Sequence, residues 1–388
     1  MVQNGDPQLI ELIRSRIATE GPVSFAWFME QALYHPQHGY YSSGRAKLGR
    51  AGDYFTNVSV GPMFGKLLAA QFEEIWQQLG RPDDFTLVEQ GAHDGTLAND
   101  ILAALAEHSA NCFDAIRYWI VEPFDALREQ QTRTLAGFKG HVRWFDSLEV
   151  IEQFIGIHFS NELLDAMPVH LVRRKNRGSE WSERCVTWMN DQFEFADQPV
   201  TDPRIRTFVR DYPDADIAIE IEVSLDALHW LDTVSEKLRT GYLLTIDYGY
   251  IPDHGSIGKE DGGTLRCRSG HRIIPSPLSD IGNCDITAHV NWTAIARHAQ
   301  RRNLEIVGFT DQHHFLTGII TGHPTLVDAA APSTRRQLQT LLHPEMMGRS
   351  FQVLGLARGV KSETSLSGFR FARPGDQQLG ITALPTSS

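Results

Sequence analysis

Two acids and two glycines carry the first chemical signal in this chain. In FTLVEQGAHDGTLANDIL, a short apolar run (Phe85, Leu87, Val88) ends in Glu89, Gly91 and Gly95 follow, and Thr96 to Leu105 then shows helical apolar spacing. A strand end, a glycine turn and a helix start form the crevice in which nucleotide-like cofactors dock. A carboxylate beside the glycines would repel a pyrophosphate, but it suits the cationic amino-acid end of S-adenosylmethionine, so methyl transfer is favoured over hydride transfer. A second strand-like run, IRYWIVEP, ends in Glu122, an acid able to hold ribose hydroxyls. A third, GYLLTIDYGY, ends at Asp247, which is either a turn residue or a site group at a strand's carboxyl end.

These residues need a scaffold, and the chain is long enough for one. Its 388 residues, 41% hydrophobic, can bury a large core as one elaborated domain or two. A formal net charge of -12 argues against a general nucleic-acid binder, because such affinity comes from neutralising phosphates. Cys112, Cys185, Cys267 and Cys284 have no short paired spacing, which supports neither a zinc cluster nor a disulfide framework. No secretory signal, transit peptide or membrane-spanning run is visible, so a soluble, cytoplasmic protein of bacterial type is expected.

From Phe85 to about Tyr250, strands alternate with helices, as a parallel sheet with crossovers requires. Short strands are expected near Val142 to Phe145 and Ile155 to Ser160, the latter followed at once by the turn NELLDAMP. β-like runs around Arg173 to Arg177 and Trp188 to Phe195 suggest an inserted hairpin within about 169–211. Two amphipathic helices, the first from Pro7 and the second capped by Ser24, and a Gly- and Tyr-rich loop open a region 1–80 expected to form a helical cap and a cofactor-covering loop. Residues 81–360 are expected to form the catalytic domain, with a substrate region about 250–315. Phe351 to Ala357 reads as a terminal antiparallel strand, and 361–388 as a fraying tail.

HPQHGYY, GDYFTN, EQGAHDGTLANDIL, YWIVEP, NELLDAMPVH, IDYGY, GGTLRC, DITAHVNW and MGRSFQVL occur in this order from His35 to Leu354. Together they resemble the MidA-like family of S-adenosylmethionine-dependent methyltransferases, whose mitochondrial members methylate an arginine of a respiratory complex I subunit during assembly. The resemblance spans about Ile17 to Arg358. It implies a class I, Rossmann-like α/β fold with a seven-stranded, mostly parallel sheet and an antiparallel last strand. It also implies S-adenosyl-L-methionine as cofactor, a protein partner bearing the target arginine, and a cofactor cover at Gly52, Asp53, Tyr54 and Thr56. The family's turn usually carries a third glycine where this chain has His93, whose ring is expected to tilt outward over the rim.

Arginine methylation sets a chemical requirement. A guanidinium stays protonated, so carboxylates must orient it and accept the proton lost on methylation. Asn161, Glu162 and Asp165 follow the fourth strand beside the crevice, and Glu162 and Asp165 are spaced to share a helical face. Asn161 serves equally well as a helix cap. Glu162 is the leading candidate for orienting the acceptor. Glu220 and Glu222 alternate with apolar residues and are expected to face one side, either solvent or an arginine pocket, with solvent the default, and His289 reads as a structural histidine. Two rival readings stand beside methyl transfer: a catalytically silent assembly chaperone with the same fold, and nicotinamide-dependent redox chemistry.

Overall fold

A computed structural model describes residues 3–43, 56–176, 178–210, 219–252, 263–269, 272–327, 331–360 and 365–381. The chain forms two compact units, one made of Met1–Tyr54, Leu164–His229 and Tyr250–Asn291, the other of Phe55–Leu163, Trp230–Gly249 and Trp292–Ser388.

The second unit holds the sheet that the alternating pattern predicts. Its strands are β1 (Phe85–Gln90), β2 (Ile116–Val121), β3 (Val142–Phe145), β4 (Phe154–Asn161), β5 (Leu238–Tyr250), β6 (Glu305–Asp311) and β7 (Phe351–Arg358). They lie side by side in the order β6-β7-β5-β4-β1-β2-β3. β1 to β5 pair in parallel, while β7 runs antiparallel to both β5 and β6. The expected α/β class, with its antiparallel last strand, is what the chain adopts. Near-continuous apolar runs suit strands covered on both faces: Leu87, Ile120, Ile157, Leu243 and Val353 are all fully buried. The helices α1 (Met63–Gln78) and α2 (Thr96–His108) contribute Phe72, Ile75, Ile101 and Leu102 to the same core.

Residues 365–381 are not a frayed end. Leu366, Phe369 and Leu379 are buried, and the Ser367 and Gly368 amides donate to Glu74 and Gln71 of α1. Composition suggested fraying, but a few apolar residues in a polar stretch suffice to seat it once a groove with acceptors exists. Residues 382–388 lie outside the described residues.

In the first unit, the helices Pro7–Glu20 and Phe25–Tyr34 form where the apolar spacing predicts, capped by Asp6 and by Ser24, whose hydroxyl accepts from the Trp27 amide. Their Leu9, Ile13, Phe25 and Phe28 pack with Phe193 and Ile286. The insertion forms an antiparallel sheet in which Ser182–Met189 pairs with both His170–Arg174 and Gln192–Pro199. The expected run Trp188 to Phe195 straddles a hairpin turn at Asn190 and Asp191, both at positive φ, a two-residue geometry that Asn and Asp tolerate. Glu220 and Glu222 are not solvent-facing: Arg184 donates to both oxygens of Glu220, and buried Glu222 accepts the Thr264 amide.

Candidate active site

β1 and its parallel neighbours end at one edge of the sheet, and the candidate residues sit there. Register places Glu89 between Ile120 of β2 and Phe159 of β4, and Asn161 at the end of β4 beside Ile246 of β5. Glu89 is 2% exposed and Glu122 is 4% exposed. Burial pushes the Glu89 carboxyl up to about 7, although the Tyr118 hydroxyl, donating to its Oε2 at 2.7 Å, pulls the other way. Glu122 is likewise pushed up to about 7 by burial, opposed by the Phe124 amide, the Gln131 side chain and the Arg128 charge. Two carboxyls that titrate near neutrality on adjacent strands form an acceptor set that changes charge when a cation or a hydroxyl donor arrives.

The turn between them is built by the chain itself. Gly91 and Gly95 have φ near +81°, and a Cβ on Gly95 would lie 3.3 Å from the Cα of Gln131. At Gly95 the left-handed backbone favours glycine, and a side chain would also press against the helix α3 (Asp125–Thr134), so the glycine does not answer to a ligand's approach alone. Asp94 accepts the Thr96 amide at 2.9 Å and so opens α2. Gln131 ties the parts together: its Nε2 donates to the His93 carbonyl at 2.9 Å and to Glu122 Oε2 at 3.0 Å, and its Oε1 accepts from Trp144 Nε1 at 2.9 Å.

His93 departs from expectation. Its φ is 43°, the left-handed region that favours glycine, and both ring nitrogens are buried with no hydrogen-bond partner among the described residues. An imidazole tilted over the rim would expose them to water. Burial lowers its affinity for protons, so the ring is neutral.

The NELLDAMP segment is a strand end and a series of turns, not a helix, so Glu162 and Asp165 do not share a helical face and Asn161 caps no helix. Glu162 sits one residue past β4 at φ 53°, its amide donating to the Ile246 carbonyl at 2.9 Å. Asp247 is fully buried and accepts the Leu163 amide at 3.1 Å and the Tyr248 amide at 2.8 Å, which makes it a clamp on this turn. Asp165 belongs to the first unit, where it is buried and its carbonyl accepts the Ala288 amide. The Thr56 hydroxyl is engaged with Ser59 in a reciprocal cap. Gly52, Asp53 and Tyr54 lie outside the described residues.

The sheet edge thus gathers Glu89, Gly91, Gly95, Glu122, Asn161, Glu162 and Asp247 within the second unit. Sequence reasoning passed over Tyr118, Gln131 and Asn57. Tyr118 carries a signal, since it lies on the strand beside Glu89 and a buried hydroxyl needs an acceptor; Asn57 closes the GDYFTN motif, and Gln131 carries none.

Residues 67–310 match the family described as "Putative S-adenosyl-L-methionine-dependent methyltransferase". The chain belongs to that family, in its MidA-like branch. Its relatives include the human mitochondrial protein arginine methyltransferase NDUFAF7, 28% identical over 91% of this chain and 84% of that protein. The Drosophila melanogaster homologue is 26% identical over 92% of this chain and 86% of that protein. Among solved structures, a superfamily member from Burkholderia thailandensis bound to S-adenosyl-homocysteine is similar with a TM-score of 0.81. It is 29% identical, with 96% of this chain and 98% of that chain covered.

The chain is an S-adenosylmethionine-dependent methyltransferase. Its residues fit that cofactor: paired acids at adjacent strand ends can accept from an ammonium and from hydroxyls, and a glycine turn opens α2. The two buried ring nitrogens of His93, without a partner among the described residues, add a further hydrogen-bonding group at the same turn.

Proposed function

We propose that this methyltransferase acts on an arginine of a protein partner, with Glu162 orienting the guanidinium, and that the partner is a respiratory complex I subunit. The observation that carries this reading is the position of Glu162 one residue past β4, the strand next to the cofactor turn, on a turn whose Glu162 and Leu163 amides donate to the Ile246 carbonyl and to Asp247. The arginine methyltransferase names of relatives aligned over most of the chain support it.

S-adenosylmethionine supplies a methyl group on an already electrophilic sulfonium. The protein's own work is then alignment and charge. Glu89 and Glu122 hold the donor's polar ends, His93 and Gln131 shape the turn, and Glu162 draws one guanidinium edge into line and favours loss of its proton. A carboxylate pairs with a guanidinium through charge-assisted hydrogen bonds, which a neutral amide of the same size does not reproduce.

The test uses S-adenosylmethionine labelled on the methyl group, the purified protein, and an extract of source cells lacking the gene. Hydrolysis of the labelled protein should yield methylarginine. Glu162→Gln should lower incorporation by about a hundredfold or more, the scale of a lost general-base contribution, while leaving S-adenosylhomocysteine affinity nearly unchanged. Label on another residue type, or full turnover by Glu162→Gln, would refute the reading.

A further inference from the structure

Glu162 is tied to a row of amides. Asn57, fully buried, donates from Nδ2 to Asn161 Oδ1 at 3.2 Å, and Asn161 donates from Nδ2 to Glu162 Oε1 at 3.0 Å. The direction of this row is not arbitrary. An ionised carboxylate only accepts, so Asn161 must turn its NH2 group towards Glu162 and its oxygen towards Asn57. Asn57 must then turn its own NH2 group towards Asn161. The oxygen of Asn57 is what remains at the far end, and it is buried with no partner among the described residues.

Both features ask for an explanation beyond folding. Glu162 stands at φ 53°, a backbone conformation a glutamate rarely adopts, with its amide held by the Ile246 carbonyl and its carboxylate by the Asn161 amide group. Asn57 belongs to the same unit, far from Glu162 in sequence, and reaches it through one intermediate side chain. A buried carbonyl left without a donor is disfavoured in the ligand-free protein and is relieved when a ligand brings an N–H group.

We propose that Asn57 is a positioning residue for methyl transfer: through Asn161 it locks the Glu162 carboxylate, and its leftover oxygen receives an N–H of a bound cation. That cation is either the ammonium of the methyl donor or the guanidinium of the acceptor; both present the same N–H chemistry. The inference rests on the reading that Glu162 faces the acceptor.

Asn57→Asp and Asn57→Leu separate the two parts. Aspartate keeps an acceptor but cannot donate to Asn161, so it reverses the row and points the Asn161 oxygen at Glu162. Leucine removes both groups, and Asn57→Ala replaces it if that variant does not fold. The row itself is read without any acceptor protein. In asparagine-labelled protein, the Asn161 side-chain NH2 resonance should move in both Asn57→Asp and Glu162→Gln, and an unmoved resonance in either would overturn the row. This holds even if Glu162→Gln proves fully active, so failure of the parent reading is seen separately.

Turnover on the cell extract should fall about tenfold in Asn57→Asp, and should not fall further when the same change is made in Glu162→Gln. An equal loss in both backgrounds would mean general damage and would overturn positioning. The ligand is read by calorimetry. Asn57→Leu should weaken either S-adenosylhomocysteine, if the donor's ammonium is the cation, or ethylguanidinium titrated in the presence of S-adenosylhomocysteine, if the acceptor is. Unchanged affinity for both would overturn the assignment of the Asn57 oxygen.

Discussion

If Glu89 receives the ammonium of the demethylated cofactor, as we propose, affinity for that cofactor should depend steeply on pH, because the carboxyl must ionise to do so. In the ligand-free protein the buried Glu89 carboxyl titrates at about 7. At an effective dielectric constant near 20, an ammonium about 4 Å away favours the carboxylate by about 4 kcal/mol, enough to bring the titration down by about three pH units. At pH 6 the free carboxyl is then about nine-tenths protonated and the bound one about one-hundredth, so binding releases close to one proton. The sign follows: protons compete with the ligand, and S-adenosylhomocysteine affinity rises with pH, by about 50-fold between pH 5 and pH 7. Calorimetry in two buffers of different ionisation enthalpy measures both the affinity and the released proton. Glu89→Gln should flatten the profile, leaving the shallower contribution of Glu122, whose ligand-side partners are expected to be neutral hydroxyls. Affinity independent of pH in the native protein, or an unchanged slope in Glu89→Gln, would refute the reasoning.

Tyr118→Phe removes the hydroxyl that holds the Glu89 titration down, so the midpoint of the same affinity profile should move to higher pH; a downward move would contradict the assigned role. Gln131→Leu breaks the bonds to Glu122, His93 and Trp144 together and should cost on the order of 2–4 kcal/mol in denaturant unfolding, with weakened S-adenosylhomocysteine binding. A loss below about 1 kcal/mol would show that water takes its place. His93→Gly relieves a left-handed backbone and removes two buried unpartnered nitrogens, so the thermal midpoint should rise by about 2–4 °C, the response of a domain this size to roughly 1 kcal/mol; a fall would mean that the ring's packing outweighs both.

The fold class was legible because it is written in local patterns. Apolar runs for β1, β4 and β5, separated by helical spacing, demand a parallel sheet covered on both faces, and the Ser24 cap and the glycine turn are contained in a few consecutive residues. Glu89 and Glu122 could be found the same way, since a strand that ends in an acid puts that acid at the sheet's carboxyl edge whatever the rest of the chain does. What the tertiary structure alone decided is which side chains share a partner. Asn57 reaches Glu162 only because the turn that leads into α1 is held where α1 and β4 share one core, and Gln131 joins His93 to Glu122 only because α3 packs back against the turn. Helical spacing in NELLDAMP suggested that Glu162 and Asp165 share a face, but β4 continues to Asn161 and turns follow, so no helix carries the two acids. The tail shows the same limit from the other side: its composition is that of a chain end free in water, and only the groove beside Gln71 and Glu74 makes burying Leu366 and Phe369 favourable. Periodicity specifies an element and the face it buries; the pairing of polar groups distant in sequence depends on the packing of whole elements, which no local window contains.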